Sequence, residues 1–205
     1  YEYDGVGNLL KQTDALGNAT TYTYNANGQV ASVTDGSGGT VRYAYDSRGN
    51  VASVTDAEGG VTKYQYDLSG NLSKVTDAEG NTTTYSYDLL DRQTGMTDGR
   101  GNTWTYAYDA EGRIVSTKDP LNYSTSRSYD TLGRLVSETD ANGNVWTYEY
   151  DADGHLTGKT DPLGHKTVYT YDAAGQLLKT TTALGLETSI TYDSMGRPVS
   201  QTDPM

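Results

Sequence analysis

The 205-residue chain contains no cysteine and no phenylalanine, and only four prolines and two histidines. Without thiols there is no disulfide and no thiolate metal site, and this absence fits a reducing or an oxidising compartment equally. No apolar run approaches the roughly 18 residues of a membrane-spanning helix. No amino-terminal targeting segment is present, which carries no information if the chain is a piece of a longer one. Basic residues are scarce: 15 Lys and Arg stand against 27 Asp and Glu, a formal net charge of −12. Polyanion binding would need a basic stripe and none appears, so nucleic acid is not an expected partner.

What the chain has instead is 19 Tyr and 24 Gly, with 34% hydrophobic residues. A thick aliphatic core is therefore not expected, and burial must come largely from tyrosine, whose ring supplies apolar area while its hydroxyl keeps a polar partner.

The tyrosines are strictly periodic. Tyr3, Tyr45, Tyr66, Tyr87, Tyr108, Tyr129, Tyr150, Tyr171 and Tyr192 each precede an aspartate: Asp4, Asp46, Asp67, Asp88, Asp109, Asp130, Asp151, Asp172 and Asp193. Tyr24 precedes Asn25. These ten steps are 21 residues apart without insertion or deletion, the mark of an architecture in which each unit leans on its neighbours. The expectation is one continuous array over residues 1–205. With no distinct capping unit at either end, it reads as part of a larger repetitive protein.

Each unit reads as strand, turn, strand, turn. Between Tyr45 and Tyr66, Asp46-Ser-Arg-Gly49-Asn50 is a turn signal, and Val51-Ala-Ser-Val-Thr55 is a β-branched run too short for a stable helix. A second turn signal, Asp56-Ala-Glu-Gly59-Gly60, leads into the alternating run Val61–Tyr66. The first-turn glycine recurs as Gly7, Gly28, Gly49, Gly70, Gly112, Gly133, Gly154, Gly175 and Gly196, with Asp91 in the fifth copy. The second-turn glycine recurs as Gly17, Gly38, Gly59, Gly80, Gly101, Gly143, Gly164 and Gly185, with Asn122 in the sixth. Asp and Asn tolerate left-handed backbone best after Gly, so these positions are expected to have positive φ.

All 21 aromatic rings fall in one register. Besides the ten Tyr-Asp positions, Tyr1, Tyr22, Tyr43, Tyr64, Tyr85, Tyr106, Tyr148 and Tyr169 sit two residues before that step. Trp104 and Trp146 sit four before it, and Tyr123 six before. Even offsets on an extended strand share one face, so the chain is all-β with a single ring-bearing face.

Short Asp-x-x-Gly loops suit antiparallel hairpins, since parallel neighbours need long crossovers. The expected fold is one long antiparallel sheet of tandem hairpins, about twenty strands at roughly 4.8 Å spacing and so near 90 Å long. Strand twist should coil it into a spiral, tube or shell. The alternative is a parallel β-helix with one coil per repeat.

The motif Tyr-x-Tyr-Asp-x-x-Gly-Arg-Leu resembles the RHS, or YD, repeat family. It stands here as Ser128-Tyr129-Asp130-Thr-Leu-Gly133-Arg134-Leu135, as Tyr148-Glu-Tyr150-Asp-Ala-Asp-Gly154-His-Leu156 and as Tyr192-Asp-Ser-Met-Gly196-Arg197, and the likeness covers all ten repeats. Members include bacterial polymorphic toxins, cocoon subunits of insecticidal toxin complexes, and teneurins. The resemblance implies a spiralling β-sheet around a hollow shell, often holding a toxic carboxy-terminal domain, in a secreted or surface protein. The toxin branch ends in a proline- and aspartate-rich self-cleaving segment. Nothing here matches it: Asp119-Pro120, Asp161-Pro162 and Asp203-Pro204 occupy ordinary turn slots. Self-cleavage is not implied.

Other candidate sites reduce to the repeat. Gly154-His-Leu-Thr-Gly158-Lys159-Thr160 lacks the phosphate loop's spacing and a following helix. Asp151-Ala-Asp153-Gly154 lacks the spacing of a calcium loop, although rows of turn aspartates could hold hard cations weakly. His155 and His165 fall on opposite edges with no third ligand. No Cys nucleophile and no Gly-x-Ser-x-Gly elbow is present. No catalytic, cofactor or metal site is expected, and the protein reads as a non-enzyme. The ring face is the main functional feature, a structural ladder of cross-strand pairs. A second reading makes it a platform for cell-surface carbohydrate, and unpaired strip edges would favour self-association.

Overall fold

The computed structural model describes residues 1–203, so Pro204 of the Asp203-Pro204 step lies outside the described residues. Turn propensity at every Asp-x-x-Gly and β-branched or aromatic residues between them produce strands and turns throughout, with no helix among the described residues. The strands are β1 (Glu2–Tyr3), β2 (Leu9–Thr13), β3 (Ala19–Tyr24), β4 (Val30–Thr34), β5 (Thr40–Tyr45), β6 (Val51–Thr55), β7 (Val61–Tyr66), β8 (Leu72–Thr76), β9 (Thr82–Tyr87) and β10 (Gln93–Thr97). They continue as β11 (Thr103–Tyr108), β12 (Ile114–Lys118), β13 (Ser124–Tyr129), β14 (Leu135–Thr139), β15 (Val145–Tyr150), β16 (Leu156–Thr160), β17 (Lys166–Tyr171), β18 (Leu177–Thr181), β19 (Glu187–Tyr192) and β20 (Pro198–Thr202). All twenty belong to one antiparallel sheet.

By packing, the chain divides into two compact units, Tyr1–Trp104 and Thr105 onward, although the 21-residue period runs through both. In the first, β5 pairs with β6 (Tyr43 opposite Val54) and β6 with β7 (Val54 opposite Thr62), both antiparallel. In the second, β15 pairs with β16 (Tyr148 opposite Lys159) and β16 with β17 (Lys159 opposite Thr167) in the same manner. Antiparallel pairing of chain neighbours excludes the parallel β-helix.

Both turn types share one geometry. The Asp46 N–H donates to Asn50 O at 2.8 Å and the Gly49 N–H to Asp46 O at 3.1 Å. The second turn repeats this with Asp56, Gly59 and Gly60 at 2.9 and 3.2 Å. This is a three-residue hairpin loop closed by a left-handed residue. Every first-turn and second-turn glycine has positive φ, and the two substitutes follow, Asp91 at 59° and Asn122 at 69°.

The two sides of each short strand differ. Across the first turn, Ala44 pairs with Ser53 and Tyr45 with Val51, so Ala52 is an unpaired bulge residue. Across the second, pairing runs only from Thr55–Val61 to Ser53–Lys63. Beyond Ser53 the ladder between β6 and β7 stops short of the Tyr-Asp edge.

No hydrophobic side chain is fully buried among the described residues. The tyrosines of β7 are half-buried while the alternate Lys63 and Gln65 are exposed, so one face is better covered. Opposite the inner tyrosines of the first unit stand apolar residues: Val33 faces Tyr22, Val54 Tyr43, Val75 Tyr64 and Met96 Tyr85. In the second unit the same slots are polar, with Thr117 opposite Tyr106, Glu138 opposite Arg127, Lys159 opposite Tyr148 and Thr180 opposite Tyr169.

Candidate functional site: the Tyr-Asp ladder

The turn aspartates are clamps. Asp46 Oδ1 accepts the N–H groups of Arg48 and Asn50, both at 2.9 Å, and Oδ2 accepts Asn50 Nδ2 at 3.1 Å. The left-handed residue folds the following N–H groups back toward the carboxylate, which is why Asp at the first position and Gly at the fourth go together. At Asp130 the fifth residue is Arg134, whose Nε lies 2.7 Å from Oδ2. At Asp151 it is His155, whose Nδ1 lies 3.0 Å from Oδ2. The Asn50 N–H lowers the Asp46 carboxyl below the usual aspartate value, and the Arg134 N–H does the same at Asp130.

The Tyr-Asp tyrosines bridge the open part of the ladder. Tyr66 Oη donates to Val51 O at 3.1 Å, across the gap where β6 and β7 part. The same bond, always to the residue fifteen positions earlier, joins Tyr24 to Leu9, Tyr45 to Val30 and Tyr87 to Leu72. In the second unit it joins Tyr129 to Ile114, Tyr150 to Leu135, Tyr171 to Leu156 and Tyr192 to Leu177. The hydroxyl thereby serves a carbonyl at the end of a strand, where the next strand has no N–H to offer. Partial burial, with the Asp46 carboxylate nearby, pushes the Tyr66 phenol up.

A third row ties successive turns. Arg113 lies 4.4 Å above the Tyr129 ring and Arg134 4.9 Å above the Tyr150 ring, while His155 stacks on Tyr171 at 4.9 Å. Arg134 Nη1 also donates to Asp151 O at 2.7 Å, and Arg48 Nη1 to Asp67 O at 2.7 Å. Each such residue is held by its own aspartate and rests on the next turn, Arg48 from the third turn position and Arg113, Arg134 and His155 from the fifth. Sequence reasoning missed this fifth turn position, although its run of Asn, Gln, Arg and His was the signal.

Off the ladder, Tyr148 Oη donates to Glu138 Oε1 at 2.5 Å, and burial together with this bond pushes its phenol up to about 12. Gly158, read against a phosphate loop, lies inside β16, bridged over by the Glu149–Lys166 ion pair at 2.7 Å. Asp151, Asp153 and His155 bring potential ligand atoms within 4.8 Å of one another. Asp151 Oδ1 there accepts the Asp153 and His155 N–H groups, as Asp46 Oδ1 accepts those of Arg48 and Asn50. His165 belongs to the other turn type, bonded to Asp161, and the structure does not bring the two histidines together. Trp104 lies in β11 and Trp146 in β15, both half-buried.

The arrangement is chemically a set of ties: carboxylate to turn, phenol to strand end, cation to ring. Three sets of comparisons bear on it. The family model described as Teneurin YD-shell matches residues 73–204, and the RHS Repeat model matches residues 3–40, 24–61 and 45–82. The first of these covers more than half of the chain, so the chain belongs to the RHS/YD-repeat family. No curated protein sequence matches it. Among solved structures it is similar to the TcdB2-TccC3 crystal structure, at 18% identity and a TM-score of 0.55 over 97% of this chain. It is also similar to the Tc holotoxin pore of Photorhabdus luminescens, at 16% identity and 0.54 over 90%. The chain spans 14% and 13% of those structures' own lengths, and at such identity the likeness is one of fold.

Proposed function

We propose that the chain is a non-enzymatic length of wall in a larger secreted or cell-surface protein, whose YD-repeat shell encloses or presents a passenger polypeptide such as a toxin or effector domain. The repeated Tyr-to-carbonyl tie carries this reading: Tyr66 to Val51 in one unit and Tyr150 to Leu135 in the other spend the tyrosines on holding strand ends together. A wall of this kind acts sterically. Its strands are hydrogen-bonded side by side, so a protease or a second chain finds few free backbone groups between them. Its partners are then the passenger and the neighbouring repeats of the same protein.

The test is made on the full-length protein. Limited proteolysis should cut an enclosed passenger far more slowly than the same segment expressed alone, and a density map should show polypeptide inside the wall. Equal cleavage rates with an empty interior would overturn the reading.

A further inference from the structure

A binding site is a particular constellation of residues, so in a repeat protein it is sought where the repeat is broken. The second-turn row breaks at Thr182-Ala-Leu-Gly185-Leu186, where Thr replaces the clamping Asp. Thr182 has one side-chain oxygen, and Oγ1 accepts only the Leu186 N–H, at 3.2 Å. No second oxygen remains to hold a polar side chain at the fifth position, which is apolar here where Asn18, Asn81, Asn102 and Asn144 stand in other copies.

The preceding repeat is altered on the same side of the sheet. Lys159 occupies the ring-face slot held by Val33, Val54 and Val75 in the first unit. Its Nζ sits 5.6 Å over the Tyr148 ring, with no carboxylate partner among the described residues. Asp161, which lines the same cleft as Lys159, has its oxygens taken by the N–H groups of Leu163 and His165 and by the His165 ring.

An open cleft of about 520 Å³ lies between these two turns, lined by Lys159, Asp161, His165, Thr182, Leu184 and Leu186 among others. Leu184 is 83% exposed and Leu186 42%, so both present apolar surface to a visitor. A lysine with no carboxylate partner among the described residues shares one cleft with two exposed leucines, which suits one kind of ligand.

We propose that this cleft binds a small organic anion with an apolar body, its carboxylate or sulfonate on the Lys159 ammonium and its body against Leu184 and Leu186. The site stands on the second unit alone and is independent of the wall reading. Its occupant is a free small molecule, because a cleft of this size matches the lower range of ligand pockets, where a few polar groups orient an apolar body.

The test uses anilinonaphthalene sulfonate and its uncharged parent, phenylnaphthylamine, followed by fluorescence on the whole chain. The sulfonate should bind saturably at one site. Lys159→Val, which installs the residue other copies use, should weaken it about tenfold, the usual effect of losing one charge-assisted contact. Phenylnaphthylamine should be unaffected by that change. The double change Thr182→Asp with Leu186→Asn, which restores the common turn, should weaken both probes. Each variant keeps repeat-compatible residues, and circular dichroism verifies its fold. Non-saturable sulfonate binding, or saturable binding unchanged by both variants, would overturn the proposal.

Discussion

Tyr66 donates its hydroxyl to the Val51 carbonyl 3.1 Å away, across strands whose own ladder has already ended. One side chain thus does the work of a missing backbone donor, and the pattern recurs along both units. Tyr66→Phe should lower stability by about 1 kcal/mol, the usual net value of one hydrogen bond with its acceptor left exposed to water. Urea unfolding should show a lower midpoint with unchanged slope, whereas Tyr64→Phe, which removes no such bond, should leave the midpoint nearly where it was.

Gly70 isolates the backbone cost of the turn, since a Cβ there would meet nothing within 4 Å and φ is 97°. Gly70→Ala should cost about 1–2 kcal/mol, the left-handed penalty for a residue with a Cβ. Gly70→Asn should cost less, because Asn122 already holds the equivalent conformation at 69°. Thermal melts of the two variants should rank in that order.

The clamped aspartates set the response to acid. The Asp46 and Asp130 carboxyls are held below their ordinary 3.8 chiefly by the Asn50 and Arg134 N–H groups, and Asp4 likewise by Asn8. A carboxyl whose folded value lies below its unfolded one contributes stability above the unfolded value, and loses it as pH falls through the folded value. The urea midpoint should therefore stay level from neutrality to about pH 5 and drop below about pH 4. Asp46→Asn should flatten part of that drop while retaining the turn, as Asn25 does naturally.

Tyr148 sets the alkaline side. Its phenol is raised from 10.0 to about 12 by burial and the bond to Glu138. A raised value means the stabilisation is complete below the unfolded value of 10.0 and is lost as pH climbs through about 12. Tyrosinate absorbance should show a late step near pH 12, absent from Tyr148→Phe and shifted down in Glu138→Gln.

Much of the fold was legible in the sequence because its causes are local. Asp-x-x-Gly writes a turn into four consecutive residues, and Asp91 and Asn122 keep it by the same backbone tolerance. Alternation then sets which strand residues share a face. The fifth turn residue was legible in principle, since Asn50, Arg134 and His155 are all donors that an aspartate can hold. Its second contact was not, because Arg134 meets Tyr150 only across two strands.

By itself, the sequence determined the period, the strands, the turns and the ring-bearing face, since each depends on φ preferences and hydrogen bonds within a few residues. Only the tertiary structure decided that Tyr66 reaches Val51, and that the inner tyrosines face valine or methionine in one unit and polar residues in the other. Those outcomes hang on strand register, which a single bulge residue such as Ala52 shifts by one place while the spacing of tyrosines along the chain stays the same.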